Sequence, residues 1–216
     1  MSTNKCIISL ANNRGNYRKA LERLEQSLVG KFDGDFLGFI SEESIGAPPH
    51  SENPYAFKIY AFLQAIEVGY SQILWVDSSC YAINDVQPCF EVIANEGYIM
   101  QEAGHLCGTW SNDVCLEYFG ITRNEAMKMP MYGNAGFLGL NTESDIAMEF
   151  FKRWTAAMET GVFKGSWDNH RHDMTCGSII ANQLGMKYKK GDEWLQYMAP
   201  TDTPANETII WGAQGM

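Results

Sequence analysis

Long apolar runs are missing from this chain: no stretch approaches the ~18 consecutive apolar residues of a membrane-crossing helix. The opening segment MSTNKCIISL has no apolar centre of the secretory kind, so a soluble, cytoplasmic protein is expected. Positive charge is scarce as well. Lys and Arg number 16 against 26 Asp and Glu, giving a formal net charge of -10 and a pI of about 4.8. A nucleic-acid binder needs a basic footprint that displaces counterions, so that partner class is excluded. Paired cysteine spacings are also lacking. The six cysteines, at 6, 80, 89, 107, 115 and 176, form no CxxC and no zinc-finger spacing. They are expected to be reduced thiols, several of them packed among apolar neighbours as small hydrophobes.

The common catalytic cradles are absent too. There is no GxGxxG after the first apolar run and no GxxxxGK[ST], which removes the usual dinucleotide and P-loop sites. GxSxG and HExxH do not occur. His170 and His172, in WDNHRHD, stand two apart. On a strand they would face the same way and could share a metal; in a loop they need not.

What is present is an alternation. KCIISL reads as a short buried strand. NYRKALERLEQSLVG follows, with Tyr17, Ala20, Leu21, Leu24 and Leu28 on one helical face and Gly30 as the stop. DFLGFI reads as a second strand. Asn53-Pro54 suits a helix start, and PYAFKIYAFLQAIEV closes at Gly69. SQILWVD is the continuous apolar run of a strand covered on both faces. GYIMQE, AGFLGLN and ETIIWGAQG read as further strands, and TESDIAMEFFKRWTAAMETG and DMTCGSIIANQLG as helices. At 216 residues, with no repeat and no linker, this predicts one α/β domain with a mostly parallel, mixed sheet flanked by helices. Ligands gather at the carboxyl ends of strands in such sheets. Asp77, Asn12, Asn13 and Arg14 fall at such ends.

ILWVDSSCYAIND then poses a question, because an apolar strand leaves through an acid flanked by small residues. One answer is a turn in which Asp77, Ser78 and Ser79 bond their own backbone. The other is a hard-cation site, since Mg²⁺ or Mn²⁺ takes oxygen ligands and shares them with phosphates.

The order of PYAFKIYAFLQAIEVGYSQILWVDSS, YGNAGFLGLNTESDIAMEFFKRW and HRHDMTCGSIIANQLGM resembles glycosyltransferases of the GT-A fold, over roughly residues 53 to 186. In that family a helix leads into an apolar strand ending in a DxD-type motif. A segment of N-A-G-F type and a later H-D-Q-like loop follow. The resemblance implies a single GT-A-like domain over 1–216 that moves a sugar from a nucleotide-sugar donor to an acceptor hydroxyl. It also implies a divalent cation, Mn or Mg, on Asp77. Asn13, Arg14, Lys58, Asp77, Ser78 and Ser79 would lie on the donor side. Asn134, Ala135 and Gly136 would line the sugar or acceptor pocket. Asp173, with His172, would face the donor sugar as the catalytic pair. The chain departs from the pattern at Ser79, where the second acid would stand, at Met174, and in having no histidine after 172.

Plainer roles compete at each position. Asp173 suits a helix N-cap, Lys58 a solvated helix face, Asn134-Ala135-Gly136 a turn, and Trp75 and Trp154 the core. Two other functions compete with transfer. One is a GT-A-like domain that binds a sugar or partner without chemistry. The other is a nucleotidyltransferase, which ANNRGNYRK, with its single glycine, fits least.

Overall fold

The computed structural model describes residues 4–12, 15–132, 136–191, 193–198 and 205–213. The chain opens with β1 (Lys5–Leu10), α1 (Tyr17–Ser27) and β2 (Asp35–Phe39), followed by α2 (Phe57–Val68) and β3 (Gln72–Val76). Next come β4 (Cys80–Ala82), α3 (Gln87–Glu96), β5 (Tyr98–Met100) and β6 (Glu102–Leu106). The helices α4 (Asp113–Tyr118) and α5 (Arg123–Ala126) lead to β7 (Pro130–Tyr132) and β8 (Phe137–Asn141). Last are α6 (Asp145–Glu159), α7 (His172–Gln183), β9 (Leu195–Met198) and β10 (Ile210–Ala213).

The central sheet has the strand order β2-β1-β3-β8-β5. β1 pairs in parallel with β2 and with β3, whereas β8 is antiparallel to both β3 and β5. Four strands therefore run one way and β8 alone runs back, which is the mostly parallel, mixed sheet expected. β4, β10 and β9 form a second, small sheet, and β6 pairs with β7. GYIMQE, read as one strand, divides at Gln101. That buried side chain leaves the ladder to bond the backbone of Gly191 and Leu195.

Strand alternation sorts the apolar residues onto two faces. Ile7, Leu74, Val76 and Ile99 pack with α1, α3 and the small sheet. Cys6, Ile8, Ile73, Trp75 and Met100 pack with α2, α6 and α7. Both faces are covered, which is why the β1 and β3 segments read as unbroken apolar runs. Gly139 in β8 makes the close approach possible, since a Cβ there would stand 2.4 Å from Ile93 Cδ1.

The α1 stripe is as expected: Ala20, Leu21, Leu24 and Leu28 are buried, while Tyr17 remains exposed. Trp75 and Trp154 are core residues. Asn53-Pro54 does not start a helix. Asn53 instead donates to the Met158 carbonyl, Tyr55 takes the left-handed φ of 61°, and α2 begins at Phe57. Among the described residues no helix is long and apolar enough to cross a membrane.

Candidate active site

Parallel pairing brings the ends of β1 and β3 to one edge of the sheet. Antiparallel β8 begins at that same edge, with Phe137 opposite Val76. Asp77 is the first residue beyond β3. Its N–H donates to the Gly136 carbonyl at 2.9 Å, and its own carbonyl accepts from Cys80 N–H at 2.9 Å. The backbone is thus a turn, as the plainer reading has it, and the carboxylate also reaches a side chain of β3. Trp75 Nε1 donates to Asp77 Oδ1 at 2.8 Å. This bond fixes the half-buried acid above the α2 face of the sheet. Ser78 is buried and Ser79 half-buried; the Ser79 carbonyl accepts from the Arg23 guanidinium at 2.7 Å.

Lys58 is not solvated. It is 2 % exposed, and Nζ lies 2.9 Å from Asp173 Oδ2, itself 1 % exposed as a residue. The ammonium also stands 5.0 Å from the centre of the Tyr55 ring and 5.8 Å from the Trp75 ring, within cation–π range. Isolated charges do not survive such burial; paired ones do. The contacts run from Asp77 through Trp75 and Lys58 to Asp173, so two acids 96 residues apart in sequence belong to one cluster. Burial pushes the Asp173 carboxyl above its usual range and the charge of Asp77 adds to the push, while Lys58 opposes both.

Asp173 is not a helix cap. α7 starts one residue earlier, at His172, and its side chain is spent on Lys58. The helix entry is instead held by Thr175 Oγ1, which accepts from Arg171 N–H and donates to the Trp110 carbonyl. His172 is buried, with Nδ1 2.8 Å from the Phe163 carbonyl and a left-handed φ of 49°. Among the described residues, His172 and Tyr55 are the two non-glycine residues with positive φ, and their rings are 5.5 Å apart. Such strain persists only where the surroundings enforce it, and it concentrates at functional sites. His170 and His172 do not share a metal position: their rings meet edge to face at 5.6 Å, and each bonds a separate main-chain carbonyl.

The site holds residues to which the sequence reading assigned no role. Burial and the charges of Asp173 and Asp77 push the Tyr55 phenol far up, so it remains a neutral donor. The Arg171 guanidinium lies 3.8 Å from the centre of Trp110 and 4.1 Å from Trp167, and Trp167 stacks on His172 with 51 % of its surface exposed. Left-handed backbone at Tyr55 has no sequence signal. The crowding of aromatic and basic residues in WDNHRHD was a signal; roles were read from it for His170, His172 and Asp173, but none for Trp167 and Arg171. For Lys58 the signal was its immediate company: Phe57, Ile59, Ala61 and Phe62 are all buried, and the solvent-facing side of α2 comes later, at Leu63 and Glu67.

Asn13, Arg14, Asn134 and Ala135 lie outside the described residues. Gly136 is buried and meets Asp77 through its carbonyl. The resemblance places a divalent cation on Asp77, and the donor set tests that assignment. One carboxylate, with one oxygen already accepting from Trp75, and Ser79 at the next motif position offer no second acid. These residues fit a hard cation only when phosphates complete its shell. Two open depressions, of about 480 Å³ beside Arg18, Leu21 and Phe36 and about 410 Å³ beside Asn84 and Trp194, lie away from this cluster.

No protein-family model matches the chain, and no curated protein matches it in sequence. Among solved structures it resembles a glycosyltransferase involved in the glycosylation of the major capsid of PBCV-1. The TM-score is 0.59 and the identity 14%, over 98% of this chain and 93% of that one. The chain has a GT-A-like fold. This α/β fold also resembles mouse xyloside xylosyltransferase 1, with a TM-score of 0.54 and 10% identity over 97% of each chain. All of this chain aligns with 46% of WbbM, a bifunctional glycosyltransferase, at a TM-score of 0.56 and 13% identity. At such identities the GT-A-like likeness is one of fold, and function has to be argued from the site.

Proposed function

We propose that the whole chain, 1–216, is one GT-A-like domain that transfers a sugar from a nucleotide-sugar donor to an acceptor hydroxyl. The observation that carries this reading is the charged cluster at the strand ends: a half-buried Asp77 aimed by Trp75, beside the buried Lys58–Asp173 pair. This is where such sheets bind ligands. The likeness to glycosyltransferases supports it.

In this reading Asp77, with Ser78 and Ser79, faces the donor diphosphate, and Asn13 and Arg14 flank it from the end of β1. Asn134, Ala135 and Gly136 line the sugar side. Asp77 is the residue to hold a Mn or Mg ion alongside the diphosphate, and such an ion, when bound, neutralises charge on the leaving group. Opening the sugar–phosphate bond leaves an oxocarbenium-like carbon and a growing negative charge on the diphosphate. The acceptor hydroxyl loses its proton to Asp173, which burial makes more basic than an ordinary carboxylate. His172 holds Asp173 at the head of α7. Protonation of Asp173 removes its counter-charge to Lys58, so that more of the ammonium's field acts on the departing diphosphate. The Lys58–Asp173 pair thus couples proton uptake to leaving-group stabilisation.

A second reading, a GT-A-like domain that binds a sugar or partner without chemistry, draws on Ser79 in the second acid position. Thermal unfolding with UDP, GDP and other nucleotides, with and without Mn²⁺, tests the binding step common to both. A nucleotide at 100 times its dissociation constant adds about 2.7 kcal/mol. Transfer requires that this shift be lost in Asp77→Ala and that a nucleotide-sugar be turned over. A shift without turnover favours the binding domain. No shift with any nucleotide rejects the donor site.

A further inference from the structure

Beneath the head of α7 three residues converge that the transfer mechanism leaves unused. Cys115, on α4, and Cys176, on α7, place their sulfurs 3.9 Å apart. His170 lies just before α7, and its ring nitrogen and the two sulfurs all fall within 4.8 Å of one another. All three side chains are fully buried. His170 Nε2 is 3.0 Å from the Val162 carbonyl, whereas buried Nδ1 makes no hydrogen bond of good geometry among the described residues, the Trp110 backbone being close enough to act on the ring only electrostatically. The Val162 carbonyl also lies 3.9 Å from the Cys176 sulfur.

We infer that Cys115, Cys176 and His170 form a structural zinc site. The two sulfurs are too far apart for a disulfide, whose S–S length is about 2.05 Å. Two thiolates held ~2.3 Å from a tetrahedral zinc stand roughly 3.8 Å from each other, close to the spacing here. A bare thiol–thiol contact would account for that spacing too. It would not account for an imidazole in the same pocket whose Nδ1 lacks a well-formed hydrogen bond, a state that buried polar groups avoid. Oxygen-seeking Mg²⁺ or Mn²⁺ does not suit two sulfurs and an imidazole; zinc does. Binding would release the two thiol protons, and the three side chains would leave the fourth position of a tetrahedral ion to a water molecule.

The sequence concealed the site because its ligands come from three segments 55 and 6 positions apart, rather than from a CxxC. Gly165 contributes to its closure: a Cβ there would meet His170 Cβ at 3.0 Å and Asn112 Nδ2 at 2.8 Å. Zinc would join α4, the turn before α7 and the first two turns of α7, the helix that carries Asp173.

The test is metal content in the untagged, full-length chain produced with zinc and freed of loose metal by gel filtration. One zinc per chain is expected, by elemental analysis and by native mass. Cys115→Ser and Cys176→Ser should each lose it, and Cys89→Ser, in the opposite core cluster, should keep it. Should the serine variants fail to fold, cobalt loading of the wild-type chain decides separately. Tetrahedral ligand-field bands together with a thiolate-to-cobalt charge-transfer band support the site. Less than a tenth of an equivalent of zinc, a disulfide between Cys115 and Cys176 in the isolated protein, or a cobalt spectrum without thiolate character overturns it. Nucleotide binding plays no part in this readout, so the site stands or falls apart from the transferase reading.

Discussion

Asp77 and Asp173 bring the same functional group to one cluster, and their surroundings give them different work. Asp77 leaves the end of β3, keeps part of its surface in solvent, and is aimed by one indole N–H. Asp173 is almost wholly buried on a helix, with Lys58 as its counter-ion. In the proposed reading the half-buried acid is the one that meets an incoming cation or phosphate. The buried one cannot change its charge without disturbing its partner. The proposed function makes the first a binding residue and the second a coupling residue, and burial is what distinguishes them.

The largest test of that contrast is removal of Lys58. Lys58→Met leaves the Asp173 charge buried without a counter-ion, so urea unfolding should show a loss of about 3–5 kcal/mol. The double variant Lys58→Met with Asp173→Leu removes both charges and should recover most of that stability. Were the single variant as stable as the wild type, Lys58 would not be the partner that keeps Asp173 charged.

Asp77 should behave in the opposite manner. Asp77→Asn keeps an acceptor for Trp75 Nε1–H and is expected to change stability by no more than about 1 kcal/mol. It should nevertheless abolish the nucleotide-induced rise in melting temperature. A large stability loss with nucleotide binding intact would reverse the roles assigned to the two acids.

A region remote from the cluster supplies the smallest effect and serves as a control. Thr122 and Glu125 form a reciprocal cap at the start of α5. Thr122→Ala should cost about 1 kcal/mol without touching nucleotide binding. Hydrogen bonds from Thr122 hold the Glu125 carboxyl below its usual range. A lowered carboxylate stabilises the fold above its unfolded pKa and stops doing so as the pH falls through its folded one. The difference between wild type and Thr122→Ala should therefore shrink in acid, as comparison of unfolding curves at neutral and acidic pH would reveal.

The parts legible in the sequence were those governed by local pattern. Unbroken apolar runs marked β1 and β3, period-3.6 stripes marked α1 and α6, and the switch from strand to acid marked Asp77. Asp173 was legible as a residue of interest, yet its N-cap role was not realised, because capping is a local preference and a buried ammonium from α2 outbid it. Lys58 shows the converse: a lysine reads as solvent-facing unless every neighbour along its helix is weighed for burial. Tyr55, Trp110 and Arg171 gained their places from tertiary contacts and from left-handed backbone that no residue type announces. His170 was weighed with the wrong partner, His172, since sequence proximity hides the two cysteines that the fold brings beside it.

Release of nucleoside diphosphate from a nucleotide-sugar, with water as the acceptor, tests the central claim most directly. The wild-type chain is expected to turn over at least one such donor, and Asp77→Asn to slow it by about 10²-fold or more while remaining folded. Turnover at an undiminished rate in Asp77→Asn would contradict the account, because the acid at the end of β3 would then have no part in meeting the diphosphate.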